Sequence, residues 1–194
     1  MGEGFMKSAL ERALERADKI EVPEEKLKEM KHRSQGEQIA AEFLRNPKYS
    51  MSNELEKLDV DARKYVSKAL ESVLLQNLAL PKKENDIVRN EEVFRGLAII
   101  KKDKSGLTHA KDQMANLSNY YSQAVKQNYE QLKSEVGRAM NQAVQKKTGA
   151  PPGSKLNVER TPEFQENWRQ FTARLDAEYG KALSQLKQQI AAMS

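Results

Sequence analysis

The chain has 194 residues, long enough to bury a core without disulfides or a structural metal, and it holds no cysteine, which removes thiolate and disulfide chemistry. Nine glycines, six prolines and few aromatic residues, beside abundant Ala, Lys, Glu and Gln, are the composition of long helices and exclude a β-rich fold. Most of the +5 formal charge lies after residue 104, a mild bias well short of the basic blocks of nucleic-acid-binding tails.

Residues 1–20, MGEGFMKSALERALERADKI, put Met6, Leu10, Ala13, Leu14 and Ala17 on one stripe of a helix. Such an amphipathic helix must dock on something, and it lacks the uninterrupted apolar run of a signal peptide or membrane span. The expectation is a soluble, cytoplasmic protein with no membrane partner. Pro23 opens a second helix through Leu27 and Met30, with Glu24 and Glu25 suited to its N-terminal dipole. Ser34-Gln35-Gly36 weakens that helix, leaving a kink and a break both open. Ile39, Ala40, Phe43 and Leu44 then resume the apolar face, and Asn46-Pro47 stops it. Leu55 and Leu58 mark a brief helical turn, and Asp59 or Asp61 caps the next helix.

Residues 62–80 form the most apolar helix, with a face from Ala62 and Val66 through Leu70, Leu74 and Leu78 that is too wide for a single neighbour. This spacing predicts the central helix of an N-terminal bundle. Pro81 ends it, and Ile87, Phe94, Leu97 and Ile100 predict a shorter helix to about residue 101. The charged KKDKSG run then separates an N-terminal bundle, residues 1–104, from the remainder, residues 105–194.

That remainder predicts one long antiparallel hairpin. From Ser105 to Lys147 there is no proline and one interior glycine, Gly137, so a single helix is expected. The stretch GAPPGSKLNVER makes the turn, and Thr161-Pro162-Glu163 starts a partner helix running to Ala192. Both helices repeat at eleven residues: Phe164, Leu175 and Leu186; Trp168, Tyr179 and Ile190; Met114, Val125 and Val136; Ala110, Tyr121, Leu132 and Ala143. Eleven residues in three turns predict a nearly straight pair, unlike the left-handed winding of heptads. Two helices leave much of their seam open, so cover comes from the N-terminal helices or from a second chain in a homodimer.

Motifs with chemical meaning are few. Glu29 and His32 make a Glu-x-x-His pair, half of a ferritin-like metal signature, but Gly106 stands where His109 would need its carboxylate. TGAPPGSKL has three residues between its glycines and a serine before Lys155, which is not phosphate-loop spacing. No Gly-x-Ser-x-Gly elbow occurs, and the paired carboxylates sit where helix dipoles and caps explain them. No catalytic residue, metal ligand or cofactor is therefore assigned. Lys111, Lys126, Lys133 and Lys147, with Tyr120 and Tyr129, form the candidate interaction surface. Lysines beside an apolar seam cover it with their stems, a better reading than phosphate contacts.

The segments SALERALERADKI, GEQIAAEFL, RKYVSKALESVLLQNLALP and TPEFQENWRQFTARLDAEYGKAL resemble a family of uncharacterised bacterial all-helical proteins. The resemblance spans most of the chain and implies no assigned activity, so it transfers no functional residue. The expectation is a non-enzymatic helical interaction protein with a protein partner not yet named, acting as adaptor, chaperone or scaffold. A weak nucleic-acid binder using the basic hairpin is the alternative.

Overall fold

The computed structural model describes residues 23–148, with side chains to 146, and residues 157–194. The amphipathic segment of residues 1–20 and most of the GAPPGSKLNVER turn lie outside the described residues, as does the side chain of Lys147. Every regular element among the described residues is a helix: α1 (Glu24–Arg45), α2 (Met51–Glu56), α3 (Val60–Asn77), α4 (Glu84–Ile100), α5 (Lys104–Thr148) and α6 (Pro162–Ala192), with a 3-10 turn at Val158–Arg160 before α6.

Local chemistry sets the ends. The Ala62 amide donates to Asp59 Oδ1 at 2.7 Å, so Asp59 is the cap of α3 and Asp61 lies in its first turn. Asp86 Oδ2 accepts the Lys82 and Lys83 amides at 3.0 and 2.9 Å, fixing the start of α4. Asp103 Oδ1 accepts the Gly106 amide at 2.8 Å at the head of α5, and Thr161 Oγ1 accepts the Phe164 amide at 3.2 Å at the head of α6. The absence of proline lets α5 run on for 45 residues, about 67 Å at 1.5 Å per residue.

The break left open at Gly36 does not occur, since α1 is continuous from Glu24 to Arg45. Gly36 marks a helix crossing instead. A Cβ there would stand 2.6 Å from the Val66 carbonyl oxygen and 2.7 Å from Ala69 Cβ, so glycine is what lets α1 lie against α3. Gly96 does the same for α4, where a Cβ would meet Leu74 and Phe43 at 2.9 Å. α3 packs against both α1 and α4, and its Val66, Leu70 and Leu74 are fully buried.

α5 and α6 run antiparallel. Tyr121 meets Tyr179, and Tyr129 meets Phe164 and Trp168. One apolar cluster joins α1, α3 and α4 to the near part of this pair through Leu107, Met114, Tyr121, Leu183, Leu186 and Ile190. Further along, Val136 and Phe164 are buried but stand apart from that cluster.

Candidate functional site

Three places bring side chains together in ways that sequence order hides. The first is the α4–α5 junction. Lys101, at the end of an apolar run, is only 5% exposed; its Nζ ion-pairs with Glu71 of α3 at 2.7 Å and donates to the Met193 carbonyl at 2.7 Å. The Lys102 and Asp103 amides donate to the Ser194 main-chain oxygen at 2.9 and 3.0 Å. The end of α6 is thereby tied to the start of α5 and to α3. A cation buried this deeply is tolerated only because its charge and its donors are matched.

The second place lies along the pair, where Asp176 of α6 accepts the Tyr121 hydroxyl of α5 at 2.7 Å and ion-pairs with Lys82 of the α3–α4 loop. Burial pushes the Asp176 carboxyl up, but the Lys82 and Tyr121 hydrogen bonds outweigh it and hold the group below its ordinary value. Burial, and then the Asp176 carboxylate, push the Tyr121 phenol far up, so it stays a donor. These groups bind α3–α4, α5 and α6 at one point.

Between the junction and this latch, α4 and α5 line a cleft of about 320 Å³. Buried Phe94 and Met114 form its floor, half-exposed Ile87 and small Ala115 its sides. Glu91 on the α4 wall and Lys111 on the α5 wall face it, and neither side chain has an ion-pair or hydrogen-bond partner among the described residues. Such a lining, mostly apolar with a few charged groups at the rim, suits a bound group and offers no reacting constellation.

The six candidate interaction residues are divided by the structure. Lys111 lines the cleft. Tyr120, 63% exposed, lies two and a half turns further on and so on the opposite side of α5. Lys126 is exposed. Tyr129 is turned into the seam, edge-on to Phe164 and Trp168 with ring centroids 5.5 and 5.1 Å away. Lys133 pairs with Glu159 at 2.7 Å, and with Tyr129 it holds that carboxyl below its ordinary value. Lys147 has no described side chain. The Glu29–His32 pair is also taken apart, since Glu29 bonds Lys68 at 2.9 Å while His32 stacks on Tyr65. Among the described residues no cluster of three or more His, Cys, Asp or Glu side chains is placed to hold a metal ion.

A family model matches residues 52–192, nearly three-quarters of the chain. The chain belongs to the family of unknown function DUF6657. No curated protein and no solved structure matches it. The DUF6657 match begins within α2 and runs to the end of α6, so the latch and the cleft fall inside it, as does the junction except for Met193 and Ser194, whereas α1 precedes it. No described helix is long and apolar enough to cross a membrane.

Within the DUF6657 region, Glu91, Tyr121 and Asp176 do more than their local sequence announces. Glu91 reads as half of a carboxylate pair on a solvated face, and Tyr121 as one member of an apolar series. Asp176 carries no signal at all, because its partners lie 55 and 94 residues away.

Proposed function

We propose that this chain is a cytoplasmic, non-enzymatic helical protein-interaction module, an adaptor or scaffold that presents surfaces of α4 and α5 to a partner. The α4–α5 cleft carries this reading: its floor is apolar and its rim charges are unmatched among the described residues, which is the make-up of an interface core within a polar rim. Ile87, half-exposed at its edge, adds to the apolar surface. The nucleic-acid alternative has weaker support, because Lys133 is already paired with Glu159 and Lys111 lines the cleft.

The supporting frame in this reading is a straight α5–α6 hairpin on an eleven-residue repeat. Burial of Phe164, Leu175 and Leu186 in one series, and of Met114 and Val136 in another, supports it.

A photo-crosslinking residue at Ala115, in the cleft, tests the interaction in living cells. A discrete protein adduct is expected from position 115 and none from position 60, whose valine is highly exposed and remote from the cleft. Absence of any adduct at position 115 would sink the proposal.

A further inference from the structure

The geometry points to an amphipathic helix of a partner polypeptide as the occupant of the α4–α5 cleft, with an apolar stripe between one acidic and one basic flank. This rests on the interaction reading above and specifies its partner. The cleft follows α5 from Lys111 to Ser122 and α4 from Ile87 to Phe94. These are lengths of about 16 and 10 Å at 1.5 Å per residue, matched to two or three turns of a helix. An extended segment would fare badly there. It needs main-chain partners, and helix walls offer only side chains, whereas a helix satisfies its own amides and carbonyls and lays i, i+3, i+4, i+7 side chains into the groove.

The charges narrow the class further. A partner helix with two acidic flanks meets Glu91 unfavourably, and one with two basic flanks meets Lys111 unfavourably. Unlike flanks satisfy both walls. They also choose the direction of docking, because reversing the helix exchanges its flanks. Phe94 and Met114 then form the floor on which the stripe's central side chain rests.

The test uses the full chain and three stapled alanine-based peptides sharing a leucine stripe, with flanks acidic and basic, both acidic, or both basic. Binding is read by fluorescence anisotropy. The mixed peptide is expected to bind tightest, by about two- to fivefold per matched wall, the range of exposed ion pairs. Ala115→Trp, at an exposed position that fills the cleft, is expected to abolish saturable binding of all three. Glu91→Lys makes both walls basic and is expected to move the preference to the doubly acidic peptide.

No saturable binding, binding indifferent to Ala115→Trp, or a flank preference unchanged by Glu91→Lys each overturns the helix assignment. Sedimentation of the chain alone adds another arm: a dimer that Ala115→Trp dissociates makes the occupant a second copy and overturns a separate partner. A cellular adduct at position 115 with no peptide binding removes the helix and leaves the interaction module standing. Loss of both removes both.

Discussion

Near the junction, the α5–α6 pair rests on α3 and α4; beyond Val125 the described residues give it little but itself and the short turn at Val158–Arg160. The same two helices therefore live under two regimes. In the near half, Leu107, Met114, Leu186 and Ile190 belong to a core shared with Leu70, Leu74 and Leu97, so cover comes from a third layer. In the far half, rings do that work: Tyr129 stands edge-on to Phe164 and Trp168, Trp168 stacks on Phe171, and Val158 approaches Gly137. A two-helix contact buries one stripe of each partner and leaves the flanks wet, so the far half draws less stability from packing. The cleft lies in the near half, where α4 both packs against the pair and forms the second wall.

Breaking the near half at its tie should have the largest effect. Lys101→Ala leaves Glu71 without its buried partner and the Met193 carbonyl without its donor. The expected cost is about 3 kcal/mol, the scale for removing one member of a buried ion pair. Urea denaturation followed by circular dichroism measures it. Replacing both partners, with Lys101→Met and Glu71→Leu together, is expected to restore most of the loss, because the cost is that of an orphaned charge. A loss below about 1 kcal/mol for the single variant would show that water satisfies Glu71 and that the tie is not structural.

The far half should break locally. Tyr129→Ala removes the ring that meets Phe164 and Trp168, and is expected to cost about 1–2 kcal/mol. Hydrogen exchange should then speed at amides around Val125–Val136 and Phe164–Phe171, while protection in α3 and α4 stays as it was. An equal loss of protection everywhere would show that the pair unfolds with the rest as one unit, and the contrast between its halves would disappear.

The parts of this architecture legible from sequence are the ones encoded within a few residues. Prolines, glycines and the capping residues Asp59 and Thr161 mark helix ends, and they place α3, α4, α5 and α6 within a few residues of where they lie. Phe164, Leu175 and Leu186, spaced at eleven residues, are buried, whereas Trp168 and Tyr179 are only partly so and Ala143 is exposed. Gly36 was misleading for the same local reason: within its segment a glycine weakens a helix, and only the approach of Val66 and Ala69 gives it a purpose. Lys101 reads as the start of a charged separator because its partners, Glu71 and Met193, are distant in the chain. The candidate surface suffered likewise. Positions along α5 cannot reveal that Lys133 meets Glu159 or that Lys111 faces a wall supplied by α4.

The smallest expected effect sits where the two regimes meet. Tyr121→Phe keeps the buried ring against Tyr179 and removes only the hydroxyl that donates to Asp176, so a loss of about 1 kcal/mol near neutral pH is expected. Its dependence on pH carries the sign of a depressed carboxyl. The folded protein holds Asp176 below its ordinary value, so the contribution is fully present above about pH 4, the range of a free aspartate, and is lost as pH falls through the lower folded value. Without the Tyr121 hydroxyl, burial is opposed by Lys82 alone and the carboxyl moves back toward its ordinary value. The difference in stability between the wild type and Tyr121→Phe should therefore narrow in acid. Denaturant titrations at neutral pH and at successive steps below about pH 4 measure that difference directly. A difference that stays constant through that range would mean that the hydroxyl serves as packing and that Asp176 is held by Lys82 alone. The latch would then join α6 to the α3–α4 loop without passing through α5.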